Sequence, residues 1–116
     1  MDSYKKEYTL EKRIEECRLI VAKYPERVPV IIERGNEKIK RISKKKFLVP
    51  VGLKVSEFVY IIRKRLELKP EEALFIFIEN ALPSYNEEMG NIYNKFKDTD
   101  GFLYVLYSKE STFGDF

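Results

Sequence analysis

The sequence predicts an α+β fold in which a four-stranded mixed sheet holds a central helix and two further helices come first. Three observations carry that expectation. The chain has 116 residues, 44% hydrophobic and 14% aromatic, enough for one core and too few for two. Its apolar periods run helix, helix, strand, strand, helix, strand, helix, strand. The strand candidates "VPVII", "ALFIFI" and "FLYVLY" are apolar almost throughout instead of alternating, so both faces of the sheet are expected to be covered.

Residues 3–8 and 10–24 read as helices; the second sets Leu10, Ile14, Cys17, Val21 and Tyr24 at helical spacing and is closed by Pro25. "VPVIIE" (28–33) and "KFLVPV" (46–51) read as strands joined by the polar, glycine-containing "RGNEKIKRISK". "VSEFVYIIRKRLEL" places Val55, Phe58, Val59, Ile62 and Leu66 on one helical face, with Ser56 a candidate cap one residue late. "ALFIFIE" (73–79) is a third strand, and "EEMGNIYNKF" a short helix spaced by Met89, Ile92, Tyr93 and Phe96. "FLYVLYS" (102–108) is the last strand, after the turn "DTDG". A hairpin, a crossover helix and two more strands describe a ubiquitin-like β-grasp. The central helix is expected on one sheet face and helix 10–24 on the other. The expected organisation is a helical subdomain at 1–24 packed on a β-grasp at 25–108, with a flexible tail at 109–116, all one folded unit.

Composition excludes several chemistries. The chain has no His, no Trp and a single cysteine, Cys17. A Ser-His or Cys-His dyad, a histidine-ligated metal and an internal disulfide are thereby removed. No catalytic residue, metal or cofactor is expected, and Cys17 reads as a buried structural thiol. The apolar runs are strand-sized and neither end shows a leader, a prenylation box or a glycolipid-anchor signal, which makes the cytoplasm the expected compartment. The net charge of +3 conceals an asymmetry: residues 1–65 hold 18 Lys and Arg against 9 acids, and residues 66–116 hold 4 against 10. The basic half suits acidic peptides, nucleic acid or anionic lipid.

"EKR", "YPERVPVIIE", "KKKFLVP", "EFVYIIRKRL", "ALFIFI" and "GFLYVLYSKESTFG", in that order, resemble the ubiquitin-like autophagy modifiers, the family of GABARAP and of microtubule-associated protein light chain three. The resemblance runs from about Tyr4 to Gly114. It implies a precursor trimmed by a cysteine protease at the Gly114–Asp115 bond. Gly114 would then be activated by ATP-dependent ubiquitin-like activating and conjugating enzymes and joined to phosphatidylethanolamine on the autophagosome membrane. It also implies a substrate and scaffold, not an enzyme. Glycine suits the conjugation role, since it has no Cβ to obstruct a narrow catalytic cleft.

"KKKFLVP" reads as a sheet edge, headed by lysines and ended by Pro50, where an extended peptide can add as a further strand. Alternation sends Lys46 and Leu48 to one face, Phe47 and Val49 to the other. The resemblance implies a pocket on each face for an acidic aromatic-x-x-aliphatic motif of autophagy receptors. The first pocket would be Glu16, Ile20, Pro29, Lys46, Leu48 and Phe102; the second Phe47, Val49, Pro50, Leu53, Phe58 and Ile61. Arg27, Lys44 and Lys46 would meet the motif's acids. Phe75 and Phe77 share one face of their strand and are a candidate surface for the processing and conjugating enzymes. The chain departs from the family pattern at Thr9 and Leu10, where Pro and Phe are expected, in a shorter loop after the first strand, and at Lys54, where Thr is usual. Two other readings stay open: an unconjugated ubiquitin-like peptide-binding module, and a small nucleic-acid-binding β domain. The second needs exposed stacking aromatics, whereas most aromatics here fall at apolar positions. No specific nucleic acid is expected.

Overall fold

The computed structural model describes residues 3–111. The elements are α1 (Tyr4–Glu7), α2 (Leu10–Lys23), β1 (Arg27–Arg34), β2 (Lys46–Pro50), α3 (Val55–Leu66), β3 (Phe75–Phe77), α4 (Met89–Phe96) and β4 (Leu103–Ser108). The sheet order is β2-β1-β4-β3, with β1 and β4 parallel at the centre and both outer strands antiparallel to their neighbours. A parallel pair requires a crossover connection, and the segment carrying α3 supplies it. This is the expected ubiquitin-like β-grasp behind two N-terminal helices.

The two faces of β1 and β4 build two separate cores. Val28, Val30 and Ile32 join Phe47, Val49, Leu103, Val105 and Tyr107 under Val55, Phe58, Val59, Ile62 and Leu66 of α3. On the opposite face Ile31 and Phe102 pack with Tyr4 and Cys17 from the N-terminal helices, flanked by Ile20 and Tyr104. Double coverage is why these strands read as continuous apolar runs.

Helix α2 does not bury the stripe its spacing suggested. Leu10, Ile14, Val21 and Tyr24 are exposed, and the buried face turns through Arg13 and Cys17. Polar chemistry sets that rotation. Arg13 Nη1 lies 2.6 Å from the buried Asp100 carboxylate, and its Nε donates to Tyr8 O at 3.1 Å. Asp100 also accepts from the Phe102 N–H at 2.8 Å and from the Tyr104 hydroxyl. Leaving such a carboxylate unpaired would cost more than exposing a few aliphatic groups. Thr9, out of pattern in the sequence, caps α2 by accepting from the Lys12 N–H at 3.2 Å.

The segment between β1 and β2 is less polar in its packing than in its composition. Ile39 and Ile42 are buried in the main core, and the Tyr107 hydroxyl pins the segment by donating to Lys40 O (2.9 Å) and accepting from the Ile42 N–H (2.8 Å). Ser56 is not the cap of α3. Lys54 holds the N-cap position, its N–H donating to the Glu57 carboxylate at 2.9 Å, and the next two amides donate to Glu87 O and Tyr85 O. The third strand is shorter than its apolar run: past Phe77 the chain turns through Glu79 and Asn80, both at positive φ. Gly101 closes the turn before β4 at φ +96°, and a Cβ there would lie 2.7 Å from Cys17 Sγ. Only glycine meets both conditions.

Candidate functional site

Strand β2 has β1 on one side only, so its other edge is open. Pro29 stands opposite Leu48 and has no N–H to give. Bonds from Ile32 N–H to Lys45 O (2.8 Å) and from Val51 N–H to Glu26 O (3.2 Å) fix the alternation of the ladder. Val28 with Val49 and Val30 with Phe47 are therefore the bonded pairs, and the backbone groups of Lys46 and Leu48 point away from the sheet. Sequence placed a proline where the inner ladder does not need its donor. The outer edge is left with donors and acceptors for another strand.

Side chains flank that edge on both faces, as alternation requires. On the α2 face Lys46 and Leu48 are half-buried; Pro29, opposite Leu48, and Phe102 are buried, and Ile20 packs against the cluster that holds Phe102. Glu16 of α2 bridges this face, accepting from both Lys46 Nζ and the Tyr4 hydroxyl, while Lys46 Nζ lies 5.3 Å from the Tyr4 ring centroid. Burial pushes the Glu16 carboxyl up, but the bonds from Lys46 and Tyr4 outweigh it and hold the group below the usual carboxylate range. Of the six residues assigned to the first pocket, Glu16 and Lys46 are joined by an ion pair, Ile20 packs against the cluster that holds Phe102, and Leu48 stands opposite Pro29 in the ladder.

The second group is split between core and rim. Phe47, Val49 and Phe58 are buried in the main core, the Phe47 and Phe58 rings meeting edge-on at 6.0 Å. Leu53 and Ile61 are half-buried at its border, and Pro50 is exposed. Lys44 Nζ lies 5.1 Å and Arg65 Cζ 5.7 Å from the Phe47 ring centroid, so two cations stand over one ring. Arg65 was not among the sequence candidates. Its spacing could have found it, since it lies four residues beyond Ile61 and shares that helical face.

Each predicted acid-binding cation already has a partner. Arg27 Nη1 donates to Leu48 O at 3.2 Å, Lys44 covers Phe47, and Lys46 pairs with Glu16. Elsewhere, Phe75 is half-buried and Phe77 buried; Phe77 joins Tyr104, Leu106 and Phe96 along a groove between β3 and the end of α4. Cys17 is buried, and burial first, then the charges of Asp100 and Glu16, pushes its thiol up to about 11. It stays protonated and unreactive at neutral pH. Among the described residues no helix is long and apolar enough to cross a membrane, and no group of His, Cys, Asp and Glu is arranged to hold a metal. Gly114 and the Gly114–Asp115 bond lie outside the described residues. The stretch leading to them is tied down at Glu110, which accepts from Asn36 Nδ2 at 3.2 Å and Lys38 Nζ at 3.4 Å.

Comparison with known proteins gives concordant results. A family model described as autophagy protein Atg8, ubiquitin-like, matches residues 12–114. Autophagy-related protein 8d of Arabidopsis thaliana is 50% identical over 117 residues, spanning 100% of this chain and 98% of the relative. Autophagy-related protein 8 of Emericella nidulans is 51% identical, spanning 97% and 96%. Among solved structures, Plasmodium falciparum Atg8 in complex with a Plasmodium falciparum Atg3 peptide is similar with a TM-score of 0.89 and 39% identity, over 96% of this chain and 98% of that one.

Proposed function

The chain belongs to the Atg8 family of ubiquitin-like autophagy proteins, and from that premise we propose that it works as a lipid-conjugated modifier and peptide-binding scaffold, not as a catalyst. A cysteine protease cuts between Gly114 and Asp115. The activating and conjugating enzymes then carry the Gly114 carboxyl through a thioester to the amine of phosphatidylethanolamine. Two acyl chains, at about 0.8 kcal/mol per buried methylene, move the protein from the cytoplasm to the autophagosome membrane. There the open edge of β2 recruits autophagy receptors through acidic aromatic-x-x-aliphatic peptides.

The observation that carries this reading is the edge itself: outward backbone groups at Lys46 and Leu48, with the half-buried Lys46 and Leu48 side chains on one face of the strand and half-buried Leu53 and Ile61 bordering the core on the other. Main-chain bonds supply affinity for an added strand, and the alternating side chains supply specificity. The aromatic residue enters between Leu48, Ile20 and the Phe102 floor as Lys46 leaves Glu16; the aliphatic residue settles on Leu53 and Ile61. The P. falciparum relative was solved with an Atg3 peptide, which makes a peptide from this chain's own Atg3 counterpart a first ligand to try. Half-buried Phe75 and the groove that Phe77 lines with Phe96, Tyr104 and Leu106 form a second surface, for the processing and conjugating enzymes.

Calorimetry with such a peptide tests the groove. Leu48→Ala should weaken binding by about 1–3 kcal/mol while leaving the melting temperature nearly unchanged, because Leu48 is only half-buried. Unchanged affinity would remove the groove from the reading. Lipidation is tested separately, by mass and flotation after incubation with the conjugating enzymes, ATP and liposomes. Gly114→Ala should bind peptide normally and acquire no lipid, and a chain ending at Gly114 should acquire it without the protease. Lipid on the Gly114→Ala protein at the wild-type rate would overturn the assignment.

A further inference from the structure

We propose that Ser43 is a phosphorylation site for a protein kinase selective for basic sequences, and that its phosphate turns down acidic-peptide binding at β2; the second half rests on the groove reading above. Ser43 is exposed, in a stretch that forms neither helix nor strand. Lys40 and Arg41 precede it by three and two positions, Lys44, Lys45 and Lys46 follow it, and no acid lies between residues 38 and 46. Such a run fits a kinase whose peptide cleft is acidic.

The fold presents this run outward. Ile39 and Ile42 point into the main core, and the Tyr107 hydroxyl holds the backbone at Lys40 and Ile42. Those anchors leave Lys40, Arg41, Ser43 and Lys44 exposed on one strap. A kinase must lift the strap locally at Ile42, a smaller change than unfolding a strand.

The consequence follows from what lies next along the chain. Lys44 stands over the Phe47 ring at the second pocket, Lys45 Nζ reaches Glu7 at 3.4 Å, and Lys46 spans the first pocket to Glu16. Transfer of the γ-phosphoryl group of ATP to Ser43 Oγ breaks the bond to the ADP leaving group, and the serine proton passes to the kinase's base. The product carries about −1.5 to −2 charge at pH 7. Placed beside Lys44 and three residues before Lys46, that phosphate draws ammonium groups that would meet the peptide's acids. It competes for charge and leaves the apolar pockets unaltered.

The test uses the intact protein, ATP and a kinase selecting basic residues two and three positions before its acceptor, with Ser43→Ala as control and sites assigned by mass spectrometry. Wild type should gain phosphate at Ser43. Calorimetry then compares an acidic aromatic-x-x-aliphatic peptide with one whose acids are replaced by neutral residues. The Kd of the acidic peptide should rise about 3- to 10-fold on phosphorylation and that of the neutral one should hold. Absence of phosphate at Ser43, when a peptide of residues 37–47 is modified, would overturn the site. Phosphate with unchanged binding, or with equal loss for both peptides, would overturn the switch while the groove stands. Failure of the unmodified protein to bind either peptide would overturn the groove and the switch together, while the phosphate at Ser43 remains readable by mass.

Discussion

Gly101 and Cys17 meet where the N-terminal helices touch the turn before β4. The turn needs positive φ, and the thiol leaves no room for a methyl group. Gly101→Ala should therefore destabilise by about 1–3 kcal/mol, from left-handed backbone strain together with overpacking; a denaturant midpoint equal to wild type would show that the turn relaxes freely. Glu16 adds a pH dependence whose sign follows from its depressed pKa. Below the ordinary carboxylate value of about 4, the unfolded chain takes up the proton more readily than the folded one. The stability from Lys46 and Tyr4 is present above that value and is lost as pH falls through the lower, folded one. Asp98 acts in the same direction: burial raises its pKa, and the bonds from Lys5 and the Asp100 amide more than offset it. Glu16→Gln should flatten the loss of stability between neutral pH and pH 3, followed by urea midpoints. An unaltered slope would assign the acid sensitivity elsewhere.

At the scale of elements, α3 shows how a local rule can be broken at small cost. Glu67 ends the helix in the left-handed conformation (φ 54°), and Leu68 N–H returns to Arg63 O at 3.2 Å. That closing pattern favours glycine. Glu67→Gly should stabilise by about 0.5–1 kcal/mol, read from thermal melts; a lower melting temperature would mean that the glutamate makes a contact worth more than its strain. The same helix shows which parts of the fold were legible in the sequence. Its apolar stripe is uninterrupted, so its buried face was readable from periodicity alone. Helix α2 misled because its buried face is chosen by Arg13, a residue that hydrophobic periodicity assigns to solvent, and the partner that buries it, Asp100, is 87 positions away. Ile39 and Ile42 were concealed by their lysine and arginine neighbours. Of the groove, the edge character of β2 could be read from its lysines and Pro50. The closure of Lys46 on Glu16 and the second cation over Phe47 depend on long-range packing that spacing does not encode.

Across the whole molecule, the two cores differ in size and share only the central strands. The α3 side is large and closed, whereas the N-terminal side rests on Tyr4, Cys17, Ile31 and Phe102 and on the pairs Arg13–Asp100, Lys5–Asp98 and Glu33 with the Tyr4 N–H. In the proposed function the first pocket lies on this seam, since Glu16 and Ile20 belong to the cover and Lys46 and Leu48 to the sheet. Loosening the cover should thus impair binding before the β-grasp unfolds. Arg13→Ala strands a buried carboxylate, a change of about 3–5 kcal/mol for a buried pair and a large share of a domain's stability. The milder double variant Arg13→Met with Asp100→Asn removes both charges and keeps the fold testable. Hydrogen exchange should show α1 and α2 losing protection while α3, β1 and β4 keep theirs, and affinity for the acidic peptide should fall in step with the protection of α2. If all elements lose protection together, the cover and the β-grasp are one cooperative unit, and the seam gives the pocket no independent freedom to open.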